Sequence, residues 1–233
     1  MRKFALLLLF SLIIGLTAHA DPITVTMKLM NETPNNVATG SPINVYVYPY
    51  NFSINGAPAP YTALICDDYS DDVTNGESWK ADVFTLADVQ NGVVAPDGTV
   101  AGQMTPLASL GISKYQAYEE AAWLYLQLGA NPDLNTAAGI NYAIWGIFDA
   151  GALSNTAYAT YGAAGWLALA NTQYSTLTQA QLDSIRIYTP ILGTQSSGGR
   201  PQEYLGQVPE PGSLMLLGTG LLGLARFARK KLG

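Results

Sequence analysis

The chain changes hydrophobic period once. In its first half the stretches ITVTMKL (23–29), INVYVYPYNFSI (43–54), YTALICDD (61–68) and SWKADVFTL (78–86) alternate or cluster β-branched and aromatic residues. That period of two is the mark of half-buried strands. The pieces between them, such as NETPNN and INGAPAP, are rich in turn residues, and connections this short predict antiparallel pairing. From Ser113 the period lengthens: Tyr115, Tyr118, Ala122, Tyr125 and Leu126 make one apolar stripe of a helix that starts at a Ser113 cap and ends at Gly129. A second helix is predicted over Asn135 to Gly151, with shorter ones over Thr156 to Ala170 and Thr178 to Tyr188. The expected class is α+β: an antiparallel, β-sandwich-like N-terminal half followed by a helical half, plus a C-terminal hydrophobic helix.

The two ends break the pattern. Arg2 and Lys3 precede an apolar run from Phe4 to Leu16 that closes on Ala18-His19-Ala20, the layout of a secretory signal peptide over residues 1–20, removed by signal peptidase before Asp21. Residues 21–192 are expected to form a single extracytoplasmic domain, and the polar, Gly/Ser-rich stretch 193–207 a linker. Beyond it come Val208, Pro209, Glu210 and Pro211, an uncharged apolar run from Gly212 to Ala225, and the basic residues Arg226, Arg229, Lys230 and Lys231. As a helix that run covers about 21 Å, short of the roughly 30 Å hydrocarbon core, so it is a marginal span. The basic cluster would stay cytoplasmic, leaving the body outside.

Charge and composition narrow the function. Signal-peptide removal takes away His19, the only histidine, and with it the imidazole that Ser-His-Asp, Cys-His and most zinc sites use. Cys66 is the single cysteine, so no intramolecular disulfide can form in the export compartment. Between residues 21 and 207, 16 acidic side chains face only five basic ones, a balance that excludes nucleic acid as a partner. No cofactor is expected.

Val208-Pro209-Glu210-Pro211, the short Gly/Leu segment and the terminal basic cluster resemble the PEP-CTERM sorting signal. The resemblance implies a Gram-negative bacterium and transient retention in the inner membrane through residues 212–228. It also implies processing near Pro209-Glu210-Pro211 by an exosortase, a final place at the cell surface or outside the cell, and association with exopolysaccharide in a biofilm. The resulting expectation is an exported surface or matrix protein, not an enzyme.

Two body segments carry a second resemblance. LICDDYSDDV (64–73) places Cys66 at the end of a predicted strand, and INYAIWGIF (140–148) lies on a helix about 75 residues later. Together they resemble the thioester domains of bacterial surface adhesins, in which a strand cysteine is joined to the glutamine of a Q-x-A-I-W helix. The resemblance pairs Cys66 with Asn141, where Asn stands in place of Gln, and matches Ala143, Ile144 and Trp145. It implies that the thiolate attacks the carboxamide, ammonia leaves, and the thioester acylates an amine on a partner. At the level of fold it implies that Cys66 and Asn141 are neighbours. The residues also read structurally: Cys66 as a small buried hydrophobe, Trp123 and Trp145 as core, and Asn141 as a hydrogen-bonding partner of backbone beside Cys66.

Asp67, Asp68, Asp71 and Asp72 are weak candidates for a Ca²⁺ site, with a solvated strand end as the alternative reading. Val73 departs from an EF-hand loop, which wants glycine there. A third class, a secreted polysaccharide hydrolase, would need paired carboxylates involving Glu119 or Glu120.

Overall fold

The computed structural model describes residues 22–30, 37–129, 131–197 and 199–207. Its strands are β1 (Ile23–Leu29), β2 (Val37–Ala38), β3 (Val45–Tyr46), β4 (Tyr50–Ile54), β5 (Thr62–Cys66), β6 (Ser78–Phe84), β7 (Ile185–Pro190) and β8 (Tyr204–Gln207). Its helices are α1 (Leu86–Asn91), α2 (Lys114–Leu126), α3 (Leu134–Phe148), α4 (Ala150–Ser154), α5 (Thr156–Thr160), α6 (Ala163–Gln173) and α7 (Gln179–Ser184).

Strand β1 buries Val25, Met27 and Leu29 and exposes the residues between them, so its inner face needs a partner on both sides. It finds β4 and β6, with Met27 opposite both Ile54 and Trp79. The antiparallel ladder continues in the order β1-β4-β5-β8-β7-β6 and closes on itself, which removes the free sheet edges on which other chains could pair. Strands β2 and β3 form a separate two-stranded ribbon.

Aromatic rings fill the barrel. Tyr204 lies 4.7 Å from Phe52 and 5.3 Å from Tyr50, and Phe52 lies 5.6 Å from Trp79, all in edge-on geometry. Each such pair contributes roughly 0.5–1.5 kcal/mol beyond the area it buries. The opposite face of the sheet, with Ile65 and Leu205 paired across β5 and β8, packs under the helices, α2 touching β8 and α3 touching β5. Helix α3 is buried from Ala137 to Phe148 on every side, as expected of a helix that is apolar all round.

Several expectations are corrected. The α+β class and the antiparallel sheet are as expected, but the sheet is a closed barrel rather than sandwich-like, because two of its six strands come from beyond the helices. The predicted helix 178–188 is helical only to Ser184, where the β-branched run IRIYTP begins β7. The predicted linker 193–207 contains β8, and residues 201–206 are buried. The single strand expected over 43–54 is split, since Pro49 between β3 and β4 has no N–H to give a ladder. The helix expected over 156–170 is broken at Gly162, whose φ of +67° is left-handed. The Ser113 cap is as expected, its side chain accepting from the Gln116 N–H.

Among the described residues no helix is long and apolar enough to cross a membrane. The expected signal peptide, sorting motif and C-terminal hydrophobic helix fall on residues outside those described.

Candidate functional site

Strand β5 ends at Cys66 against the middle of α3, and there the two halves of the chain are joined by one side chain. Asn141 Nδ2 donates to the Cys66 carbonyl at 2.9 Å, and Asn141 Oδ1 accepts from the Tyr48 N–H at 3.0 Å. Asn141 has no exposed surface, so an unpaired carboxamide there would be costly. The expected adjacency of Cys66 and Asn141 is therefore present, in the form of a backbone bridge. Both ends of the amide are occupied by main-chain groups.

The Cys66 thiol is itself fully buried and donates to the Asp68 carbonyl at 3.1 Å. Burial, and then the carboxyls of Asp68 and Asp67, push its pKa well up. A buried thiol held in that state is a poor nucleophile. The Trp145 indole N–H is buried on the Cys66 side, where it works weakly against the rise in the thiol's pKa, and Trp145 itself packs 5.3 Å from the Tyr69 ring.

The four aspartates that follow do not converge. Asp67 and Asp68 are buried, Asp71 is half-buried and Asp72 is exposed. Asp68 closes a turn, its Oδ1 accepting from the Ser70 N–H at 3.1 Å and the Asp71 N–H at 3.3 Å. Burial, and then the Asp71 charge, raise its pKa to about 7. Asp71 is 3.6 Å from the Arg200 guanidinium. Among the described residues no three His, Cys, Asp or Glu side chains are arranged to hold a metal, and these four aspartates, weak candidates for Ca²⁺ by sequence, are divided between the interior and the surface.

Asp67 pairs instead with a residue that sequence reasoning assigned to a linker. Where the β5–β8 ladder runs past Cys66, the Asp67 N–H donates to the Glu203 carbonyl at 3.3 Å, and both side chains are fully buried. Glu203 is well supplied with donors: the Tyr118 hydroxyl, the Thr189 hydroxyl and, at 2.9 Å, the Gln103 N–H. Among the described residues neither oxygen of Asp67 meets a hydrogen-bond donor. Burial, with the Glu203 carboxylate next in size, raises the Asp67 pKa well above the usual range, so the site favours the protonated form of Asp67. Lys114 is the nearby cation, its Nζ donating to the Ala101 carbonyl at 3.1 Å. Burial lowers its pKa and the Glu203 charge opposes that.

Gln202 locks this end of the barrel. Its Nε2 donates to the Asp68 carbonyl at 2.8 Å and to the Asp71 carbonyl, and its Oε1 accepts from the Tyr204 hydroxyl at 2.8 Å. The one signal for Gln202 and Glu203 in the sequence is their position just before Tyr204-Leu205, an aromatic-aliphatic pair in an otherwise polar stretch. Glu120 lies elsewhere, buried in α2 with its Oε1 accepting from Gln116 Nε2 at 2.9 Å.

The loop that carries these aspartates borders a cleft of about 330 Å³. Tyr46, Tyr50, Tyr69 and Trp145 line it, together with Asp71 and Asp72. Asn155 fixes both walls, donating to the Ile43 carbonyl at 3.2 Å and the Tyr69 hydroxyl at 3.0 Å.

No curated protein and no solved structure matches the chain significantly. Gln207, the last residue of β8, is also the first residue of a recognised signal, so the barrel leads into it without a spacer. Val208, Pro209, Glu210, Pro211, Arg226, Arg229 and Lys230 fall within that signal, with Lys231 just beyond it. Residues 207–230 match the PEP-CTERM protein-sorting motif, and the chain thus carries the tail of an exosortase substrate.

Proposed function

We propose that this chain is an exported, non-catalytic surface or matrix protein, held briefly in the inner membrane by its tail, released by exosortase and associated with exopolysaccharide. The observation that carries the reading is the PEP-CTERM motif at 207–230, which starts on the last residue of a barrel strand. A closed barrel offers no edge on which another chain could pair in transit. The absence of catalysis is supported by the state of the candidate nucleophile: the Cys66 thiol is inaccessible and its pKa is raised. Deletion of 208–233 followed by cell fractionation tests the sorting. The full chain is expected at the surface or in the medium, with the truncated chain retained elsewhere. An unchanged distribution overturns the reading.

A covalent adhesin is the second reading, and one observation favours it: the Asn141 amide lies against the Cys66 backbone, 2.9 Å from its carbonyl oxygen. The same hydrogen bonds weigh against it, because they satisfy the carboxamide without any bond to sulfur. Intact mass separates the two. The full mass of the mature chain belongs to the non-catalytic reading, and a loss of about 17 Da, one ammonia, to the thioester.

A further inference from the structure

Segments 43–46 and 69–74 face each other across the cleft of about 330 Å³, and the chemistry of its walls is specific. Two large apolar residues stand exposed on one side, Ile43 at 50% and Tyr46 at 44%. Tyr50 and Trp145 are buried beneath, and Tyr69 is half-buried beside Trp145. Asp71 and Asp72 add two carboxylates. Arg200 sits against Asp71, whereas Asp72 is exposed. Asn44 and Thr74 also line the cleft, Asn44 accepting from the Gly40 N–H at 3.0 Å through its Oδ1 and Thr74 giving its hydroxyl proton to Glu77 at 3.4 Å, so that the hydroxyl oxygen can still accept.

Electron-rich ring faces beside carboxylates attract an organic cation, through the ring quadrupole and through direct charge attraction. Polar groups spread around the rings suit a ligand that carries hydroxyls as well as charge. A lysine side chain, an apolar stem with one charged head, would leave those groups unused. An anionic sugar would meet both the cleft carboxylates and the acidic surplus of the body. We propose that this cleft binds an ammonium-bearing sugar of a deacetylated amino-sugar polymer. The polymer would be met outside the cell, so the proposal rests on the reading of the chain as an exported, polysaccharide-associated protein.

Calorimetry with the purified full chain tests it, using a β-1,4-linked glucosamine tetramer, the N-acetylated tetramer and a lysine-rich peptide as probes. The glucosamine tetramer is expected to bind about tenfold more tightly than the acetylated one, the range that a cation over aromatic rings supplies. Tyr46→Ala and Asp72→Asn are each expected to weaken it about fivefold or more. Asp183→Asn, on α7 outside this cleft, should leave it unchanged. Both altered cleft residues are exposed, so the fold should survive, and circular dichroism checks that. Equal affinity for the two tetramers, tighter binding of the peptide, no saturable heat, or unaltered binding by the two cleft variants overturns the proposal. The underlying reading is tested separately: if the cleft variants lose glucosamine binding yet reach the surface like the parent chain, the cleft assignment stands. A parent chain that never leaves the cell sinks the export reading, whatever the cleft binds.

Discussion

Replacing Asp67 by asparagine should raise the protein's stability relative to the parent chain progressively as pH rises. Asp67 is fully buried, its carboxyl oxygens meet no hydrogen-bond donor among the described residues, and it shares the β5–β8 junction with Glu203. Burial and the Glu203 charge raise its folded pKa well above the usual range, whereas in the unfolded chain it returns to about 3.9. A group whose pKa is raised by folding stabilises fully below its unfolded pKa, and that stability is lost as pH rises toward the folded value. In the window between the two pKa values the native state holds one proton that the unfolded state has released. Stability of the parent chain then falls by about 1.4 kcal/mol per pH unit from this one site. An amide at this position has no proton to lose, so over two pH units inside that window the Asp67→Asn variant should gain about 3 kcal/mol on the parent. For a chain of this size that is about 6–12 °C in Tm. Urea unfolding of both proteins from pH 4 to pH 8 measures it, and equal m values would show that compactness is unchanged. Asp68, whose pKa is raised to about 7 and whose charge adds to the Asp67 shift, titrates in both proteins. The slope is the prediction, not the offset, since the substituted side chain brings its own amide hydrogens. A difference that is flat with pH, or one that favours the parent as pH rises, would refute the account of an Asp67 pKa raised by burial beside Glu203.

Asn141→Ala removes both hydrogen bonds that tie α3 to Cys66 and Tyr48 and leaves two buried main-chain groups unpaired, for an expected loss of about 2–4 kcal/mol in urea unfolding; a loss below about 1 kcal/mol would remove Asn141 from its bridging role. Gly139→Ala should destabilise by about 1–3 kcal/mol, because a Cβ there meets the Tyr161 carbonyl oxygen at 2.5 Å, and backbone cannot swing aside. Gly165→Ala, in open space on α6, should instead raise Tm through roughly 0.5–1 kcal/mol of helix propensity. Cys66, with no exposed surface, should react with iodoacetamide only after denaturation; rapid alkylation of the native chain would contradict its burial.

Elements whose pattern is local were legible in the chain. The alternation of Val25, Met27 and Leu29 announces β1, the Tyr-rich stripe and Ser113 cap announce α2, and the segment from Asn135 to Gly151 announces α3. The tail is legible for a related reason, since sorting signals are read as linear sequence and Val208 to Pro211 followed by Gly/Leu residues and a basic cluster needs no partner to be recognised. The neighbourhood of Cys66 and Asn141 could be anticipated from the paired segments, and so could a structural role for Asn141. What the tertiary structure alone decided is pairing across distance. Strand β8 is four residues long inside a polar stretch, and nothing in YLGQ states that β5 and β7 wait on either side of it. Glu203 looks like a linker residue until closure of the barrel buries it against Asp67 and brings Tyr118 and Thr189 to its oxygens. The four aspartates of 67–72 look alike as letters, yet the sheet takes two of them inside and leaves Asp72 to solvent. Periodicity records which face of an element is buried. It carries no record of what buries it, and both the acid pair and the aromatic cleft are made by that second, non-local choice.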